Sequence, residues 1–110
     1  MAEPKHIADS LTKIIPTVLL VTNASTGAPK RLSDTPRKFR SATFIGNNAR
    51  QTANTGTVYI GWSSVNGEPC VAITTGQIIT IEPDPGEAFD LYDMWLDVAT
   101  ASDGVVVILS

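Results

Sequence analysis

Five acidic residues fall close together in the C-terminal third of the chain, and they are the most obvious candidates for chemistry. They are Asp84, Glu87, Asp90, Asp93 and Asp97. Carboxylates at short spacing on loops can bind calcium, which prefers hard oxygen ligands. The spacing of an EF-hand loop is absent. Asp84, Glu87, Asp90 and Asp93 are therefore weak calcium candidates, beside two alternatives: solvated acids, or an acidic surface that meets a basic partner.

Catalytic nucleophiles have little support in this sequence. The chain has one histidine, His6, and one cysteine, Cys70. A nucleophilic cysteine needs a base nearby, and His6 lies in a polar N-terminal segment. A zinc site needs three or four suitable ligands, and neither common glycine-rich phosphate motif is present. We therefore expect a protein that is not an enzyme and that uses no metal or other cofactor.

Aromatic and basic residues are the remaining candidates for a binding site. Trp62 and Trp95 could line a platform for a sugar ring, although aromatic side chains more often pack in a core or a subunit interface. The basic residues expected to contact a partner protein are Lys5, Lys13, Lys30, Arg31, Arg37, Lys38 and Arg40. Few aromatic residues lie among them, which disfavours single-stranded nucleic acid as the ligand.

Charge is sparse and unevenly distributed along the chain. Charged residues make up 17% of the sequence, against about 25% in an average soluble domain. All eight basic residues precede position 51, and residues 51–110 carry acids only. Either strands from the two halves interleave, or a basic face meets an acidic one in an assembly. The net charge of −3 does not favour nucleic acid as a partner.

Turn residues recur at short intervals and divide the chain into short strands. Glycines at positions 46, 56, 67, 76 and 86 are spaced as expected for a sandwich or barrel. We expect strands at residues 14–22, 29–32, 38–45, 57–62, 71–74, 77–82, 94–98 and 105–109, with a short turn at 89–92. The sequence thus predicts an all-β protein, a single β-sandwich of jelly-roll type with about eight short antiparallel strands.

Domain boundaries follow from the same pattern. Residues 1–13 are polar and are expected to form an N-terminal arm, and residues 14–110 form the sandwich domain. The longest apolar run, residues 14–21, contains Pro16 and Thr17 and is far shorter than the roughly 20 residues of a membrane-spanning helix. We therefore expect neither a membrane anchor nor a signal peptide.

Two strands carry specific predictions about side-chain direction. Met94, Leu96 and Val98 should point inward and Asp97 outward, because successive side chains of a strand alternate between the two faces. The last strand is apolar on both faces, so it is either central or covered by another subunit. On the second alternative, Val105, Val107 and Leu109 are expected to mediate self-association.

Four stretches of the second half form a recognisable pattern. Residues 53–61 read ANTGTVYIG, 76–81 read GQIITI, 90–97 read DLYDMWLD and 102–107 read SDGVVV. This pattern resembles one found in small structural proteins of tailed bacteriophages and prophages. The resemblance implies a non-enzymatic virion protein that is made in the host cytoplasm and binds the capsid exterior, as a decoration (cement) or head-fibre subunit.

The same resemblance suggests partners and an alternative. The expected partner is the major capsid protein or another virion protein, contacted through the arm and the basic segment. A homotrimer is expected, because capsid lattices offer three-fold sites and closed rings match such symmetry. The alternative is a receptor- or glycan-binding module of the tail or baseplate, which would use Trp62 and Trp95.

Overall fold

The computed structural model describes residues 17–62 and 70–110. Strands dominate these residues, with one short 3₁₀ turn at Leu91–Asp93. The strands are β1 (Thr17–Thr22), β2 (Lys30–Arg31), β3 (Lys38–Phe39), β4 (Ala42–Ile45), β5 (Asn47–Ala49), β6 (Thr52–Ala53), β7 (Val58–Gly61), β8 (Cys70–Ile73), β9 (Ile78–Ile81), β10 (Phe89–Asp90), β11 (Trp95–Val98) and β12 (Gly104–Leu109). No helix in the described part of the chain is long and apolar enough to span a membrane.

Two four-stranded sheets form the body of the domain. The first sheet has the order β1-β12-β4-β9 and the second β2-β11-β7-β8. Every neighbouring pair in both sheets is antiparallel. Two short two-stranded ribbons, β10-β3 and β5-β6, complete the described strands. The all-β prediction is confirmed, and the architecture agrees with a β-sandwich of eight main strands.

The core lies between the two sheets and draws on alternate residues of each strand. β12 contributes Val105, Val107 and Leu109 to it, and β4 contributes Phe44. The remaining buried members of the core are Leu32, Phe39, Ala42, Val58, Ile60, Ile73, Leu91, Met94, Leu96 and Val98. This alternation arises because the side-chain period of a strand is two residues, so one face of each sheet packs inward.

The strand predicted at residues 94–98 is nearly correct. β11 begins one residue later than predicted, at Trp95. The C=O group of Met94, just before it, accepts a hydrogen bond from the N–H of Leu32 at 2.9 Å. Met94, Leu96 and Val98 are all buried, as the alternation predicted. Asp97 pairs across the strands with Tyr59 on the opposite, outward face.

The strand predicted at residues 38–45 is wrong, because two separate strands occupy it. β3 pairs with β10, whereas β4 lies between β12 and β9 in the first sheet. At the break, the N–H groups of Arg40 and Ser41 both donate to the C=O of Ser110, at 3.0 and 3.2 Å. Ser110 also donates to the C=O of Ser41 at 2.9 Å, so the pairing of β4 with β12 extends to these two residues and the chain leaves that ladder at Arg40. The β5-β6 ribbon was not predicted, and the arm at residues 1–13 and the first part of the strand at 14–22 lie outside the described residues.

A buried carboxylate ties the two sheets together at one end of the sandwich. Asp103 immediately precedes β12 and is only 1% exposed. Its Oδ1 accepts from the N–H of Thr55 at 3.0 Å, and its Oδ2 accepts from the N–H of Gly56 at 2.7 Å. The side-chain amide of Asn48 also donates to Oδ1, at 3.3 Å. The loop that leads into β7 of the second sheet is thus held against the start of β12 in the first.

Asn54 and Gly104 form the adjacent part of this connection. The Asn54 side chain accepts from the N–H of Gly104 at 3.0 Å and donates to its C=O at 2.7 Å. Gly104 has no room for a larger residue, since an added Cβ would lie 2.2 Å from the C=O oxygen of Val21. The first residue of β12 therefore has to be glycine, because β1 packs so closely against it.

Candidate interaction surfaces

The outward side of the first sheet is built from two rows of residues that run across all four strands. The strand registers place Leu20, Val106, Ile45 and Ile78 side by side in one row. The second row contains Val18, Ile108, Thr43 and Thr80. We refer to these eight residues as the apolar face.

The apolar face is uncharged, and much of it lies open. Ile78 is 62% exposed, Val18 53% and Leu20 46%, whereas Val106 at the centre is 5% exposed. These three are among the four large hydrophobic side chains that remain exposed in the described part of the chain. A contiguous apolar surface of this kind on a small domain marks an interaction site.

Among the described strands, β1 lies at one edge of the first sheet and pairs only with β12. The N–H of Asn23 donates to the C=O of Asp103 at 3.0 Å, and the N–H of Ser102 donates to the C=O of Asn23 at 2.8 Å. Backbone groups of alternate residues in a strand point to opposite sides. Because Asn23 faces β12 through its backbone, the backbone groups of Val18 and Leu20 face the free edge.

The opposite edge, at β9, has the same arrangement. The N–H of Gly46 donates to the C=O of Gln77 at 2.9 Å, so Gln77 faces β4 through its backbone. By alternation, the backbone groups of Ile78 and Thr80 face away from β4, toward the free edge of the sheet. At both edges, the residues with outward apolar or threonine side chains are therefore those that offer backbone hydrogen-bonding groups to a partner.

The side chain of Lys30 occupies one end of the β1 edge. The Nζ of Lys30 donates to the C=O of Thr22 at 3.0 Å, and Lys30 belongs to β2 of the second sheet. A groove of about 240 Å³ lies between these two edge strands. Lysine at a strand edge hinders pairing with another chain, so the open part of β1 is limited to Val18 and Leu20.

The outward side of the second sheet has different chemistry, because charged and aromatic residues lie on it. The guanidinium carbon of Arg31 lies 4.1 Å from the ring centre of Tyr92 and 4.5 Å from that of Trp95. The same guanidinium donates to the C=O of Tyr92. Arg31 is opposite Trp95 in the register of β2 and β11. Cation–π contacts with two rings thus hold the arginine side chain in place.

The two tryptophans predicted as a glycan platform belong to different clusters. Trp62 is 44% exposed and meets the ring of Phe89 edge-on at 5.4 Å, and Phe89 in turn meets Phe39 at 6.0 Å. Trp95 is instead packed beside Arg31. Within the described residues the structure does not bring Trp62 and Trp95 onto one surface, so a shared platform is not supported.

The basic residues predicted to contact a partner divide into two groups. Lys30 and Arg31 form β2 at the edge of the second sheet. Arg37, Lys38 and Arg40 lie in or beside β3, where Lys38 is opposite Asp90. Lys5 and Lys13 lie outside the described residues. Basic and acidic residues therefore lie side by side at β3 and β10. This agrees with the alternative in which strands from the basic and the acidic half of the chain interleave.

Among the acidic candidates, Asp90 has a clear structural role. Its Oδ1 accepts from the N–H of Arg37 at 2.7 Å and from the N–H of Tyr92 at 2.9 Å. These backbone hydrogen bonds, with a smaller contribution from the positive charge of Lys38, hold the pKa of Asp90 below its usual value. The carboxylate thereby caps the 3₁₀ turn that follows it.

The structure does not gather the predicted calcium candidates into a metal site. In the described part of the chain, no group of three or more His, Cys, Asp or Glu residues is placed to hold a metal ion. Asp84, Glu87 and Asp93 are exposed. Nothing in their arrangement supports the calcium alternative.

The residues predicted for self-association lie inside the fold. Val105 and Val107 are fully buried and Leu109 is 6% exposed, and all three pack in the core of the chain's own sandwich. The prediction that these side chains contact another subunit therefore needs correction, since their surface is already used. The outward residues of β12 are Val106 and Ile108, and both belong to the apolar face.

Sequence reasoning identified the last strand as apolar on both faces but missed the apolar face as a whole. The signal was present in TVLLVT of β1 and IITI of β9, where both alternating sets contain apolar residues. Only the strand order reveals that these two strands and β12 share one sheet. The buried role of Asp103 was also missed, because an Asp-Gly pair indicates a turn and not a buried acceptor.

Comparisons of the chain with protein families, curated proteins and solved structures found no match. The resemblance to phage structural proteins stays a prediction that rests on the four stretches quoted above. What the fold establishes is an antiparallel, all-β sandwich, with an uncharged apolar surface on one sheet and an arginine–aromatic cluster on the other.

Proposed function

We propose that the chain is a non-enzymatic structural protein of a tailed-phage virion, which binds the capsid exterior as a decoration or head-fibre subunit. The observation that carries this proposal is the apolar face. A small domain with an uncharged, partly exposed sheet surface and two open strand edges is suited to association with other proteins. Such a protein works by burial of surface in an assembly, and not by turnover of a substrate.

The strand order supports the virion assignment by analogy of fold. If the eight main strands are numbered in chain order, one sheet has the order 1-8-3-6 and the other 2-7-4-5. We infer a jelly roll from this order, a double-sheet arrangement that recurs in viral capsid proteins and in lectins. Fold alone does not determine function, so this argument adds to the surface argument and does not replace it.

The proposed partner is the major capsid protein or another virion protein. The residues proposed to contact it are those of the N-terminal arm and the basic segment, including Lys30, Arg37, Lys38 and Arg40. A protein that binds only the assembled capsid stabilises it by mass action, because each contact must be broken before the subunits separate. The proposed location is the capsid surface of the virion.

Co-sedimentation tests this proposal directly. The purified chain is mixed with empty heads of the phage or prophage that carries its coding sequence, and the heads are pelleted. The proposal predicts saturable co-pelleting that raises the temperature at which the heads disrupt. A matched variant, Lys38→Glu with Arg40→Glu, should bind more weakly with its fold intact. A chain that stays in the supernatant at all concentrations would overturn the proposal.

A glycan-binding module of the tail or baseplate is the second candidate. The observation that favours it is the cluster of Arg31, Tyr92 and Trp95, where rings and a guanidinium lie together on one surface. This candidate predicts saccharide binding that is lost in Trp95→Ala and kept in Trp62→Ala. A saccharide array and circular dichroism of both variants would separate lost binding from lost fold.

A further inference from the structure

We propose that the peptide bond between Asp103 and Gly104 is a latent site of isoaspartate formation. The native contacts of the turn before β12 keep this site closed, and opening of the turn exposes it. An Asp-Gly pair is prone to this reaction, because glycine has no side chain to hinder ring closure and its backbone is free to adopt many conformations. This chemistry is independent of the proposed function, since it involves the main chain of the protein alone.

The reaction needs only these two residues and water. The amide nitrogen of Gly104 attacks Cγ of Asp103, a C–N bond forms, and the protonated carboxyl group and the amide N–H together lose one water molecule. The product is a five-membered cyclic imide. Water then adds to either carbonyl carbon of the imide. Addition at the main-chain carbonyl leaves the chain running through Cγ, which is isoaspartate, whereas addition at Cγ restores aspartate. Over both steps no atom is gained or lost and no group is oxidised.

The fold requires both residues of this pair. Position 104 has no room for a side chain, because an added Cβ would lie 2.2 Å from the C=O oxygen of Val21 and 2.9 Å from Cα of Thr22. Position 103 requires a carboxylate, because its two oxygens accept from the N–H groups of Thr55 and Gly56. A substitution that removes the Asp-Gly pair would therefore lose either the close packing or the connection between the sheets.

Hydrogen bonds occupy both reacting groups in the folded chain. The N–H of Gly104 donates to Oδ1 of Asn54 at 3.0 Å, and the carboxylate of Asp103 is 1% exposed. The imide has no N–H at Gly104 and only one of the two carboxylate oxygens. Ring closure inside the folded chain would thus leave the buried Asn54 side chain without its donor, which is unfavourable.

The main chain on both sides of the reacting bond is also held. The N–H of Asp103 donates to the C=O of Thr100 at 3.2 Å, and its C=O accepts from the N–H of Asn23 at 3.0 Å. The C=O of Gly104 accepts from Nδ2 of Asn54 at 2.7 Å. These contacts fix the rotation of the main chain at the turn, so the peptide reacts only after the turn has opened.

Opening of the turn would therefore leave a permanent chemical change. Isoaspartate at position 103 adds one carbon to the main chain directly before β12, and it places the carboxylate on Cα. Such a residue cannot hold its carboxylate against Thr55 and Gly56 while Gly104 stays paired with Asn54. Chemical modification of the open chain is one route by which unfolding becomes irreversible.

Ageing of the natural chain, folded in buffer and unfolded in urea, tests the proposal. Both samples are kept at the same pH and temperature, and their chymotryptic peptides are labelled with a methyltransferase specific for isoaspartate. This digestion separates the peptide that contains Asp103 from the one that contains Asn66-Gly67, a second labile pair. Isoaspartate at position 103 should form at least about tenfold faster in urea, because only open chains react. Equal rates would overturn the proposal.

Substitution of Asn54 tests whether the turn itself gives the protection. Asn54→Ala removes both hydrogen bonds to Gly104, so the folded variant should form isoaspartate at least about tenfold faster than the natural chain. Met94→Ala is the matched control, because Met94 is buried at the other end of β11. The two variants are compared at urea concentrations that leave equal folded fractions. Equal rates in the two variants would refute a protective role of the turn.

Refolding of aged chains decides the question if Asn54→Ala does not fold. The yield of refolded natural chain should fall as isoaspartate accumulates at position 103 in urea. Asp103→Ala cannot form the imide, so its refolding yield should not change with age. A constant yield of the natural chain despite accumulated isoaspartate, or an equal fall in Asp103→Ala, would overturn the inference.

Discussion

The two sheets share one core but turn different chemistry outward. The first sheet presents eight uncharged residues, of which Val18, Leu20 and Ile78 are the most exposed. The second sheet presents Arg31, held over two aromatic rings, and Asp97, whose carboxylate accepts from the N–H of Gly27 at 3.1 Å. A surface with charges and satisfied polar groups suits solvent or a polar ligand, whereas an uncharged surface suits another protein.

This difference shows that the apolar content of a strand does not by itself distinguish core residues from interface residues. β12 is apolar on both sides, and one side packs inward while the other belongs to the apolar face. Which side is which depends on register, because a shift of one residue exchanges the two. Substitutions on the inward and outward sides of the two sheets test this division.

Removal of an inward side chain of the first sheet should have the largest effect. Phe44 is fully buried, and Phe44→Ala should lower the free energy of unfolding by about 3–5 kcal/mol through lost transfer energy and the cavity left behind. Urea denaturation measures the loss. Thr43→Val, one residue earlier and outward, should change it by less than ~1 kcal/mol. Equal losses in the two variants would contradict the inward and outward assignments.

Removal of the carboxylate that joins the two sheets should have the next largest effect. Asp103→Ala leaves the part-buried N–H groups of Thr55 and Gly56 without their acceptor, at a cost of roughly 1–3 kcal/mol. Asp103→Asn keeps one oxygen acceptor and should lose less. Thermal and urea unfolding of both variants measure these losses. An unchanged unfolding midpoint in Asp103→Ala would show that the connection between the sheets does not depend on this residue.

A smaller effect is expected on the outward side of the second sheet. Arg31→Ala removes the cation–π contacts with Tyr92 and Trp95 and should lower the free energy of unfolding by about 0.5–1 kcal/mol. Arg31→Lys keeps the charge but loses the planar stacking. Urea denaturation of both variants measures the change in the free energy of unfolding. An unchanged free energy of unfolding in Arg31→Ala would show that these contacts do not stabilise the fold.

The smallest effect concerns pH. Because the pKa of Asp90 lies below its ordinary value of 3.8, its ionised form stabilises the folded chain above that value. This contribution decreases as the pH falls through the lowered pKa. Asp90→Asn should therefore be less stable than the natural chain at neutral pH, and the difference should narrow in acid. A difference independent of pH would assign the effect to packing.

The sequence predicted those strands in which apolar and polar residues alternate within a few neighbouring positions. Met94, Leu96 and Val98 alternate with polar or half-exposed neighbours, and β11 follows that alternation. Positive φ at Gly76 and Gly86, at 71° and 86°, agrees with the glycine positions used to place turns. These features depend on neighbouring residues, so a single stretch of sequence reveals them.

Features that depend on distant residues could not be predicted. The break between β3 and β4 falls where Ser110, distant in sequence, accepts from the N–H groups of Arg40 and Ser41. β5 is short and begins with two asparagines, residues that are depleted in strands, so the β5-β6 ribbon was missed. The apolar face requires knowledge that β1 and β9 are edges of one sheet, which no local pattern contains.

Hydrogen exchange at the two edges of the first sheet tests the central claim most directly. The proposal is that the apolar face contacts a partner protein in the assembly. The amides of Ile78 and Thr80 should then exchange rapidly in the free chain and slowly in the chain bound to empty phage heads, while amides of β12 remain protected in both. Equally rapid exchange of Ile78 and Thr80 in the free and the bound chain would contradict the account.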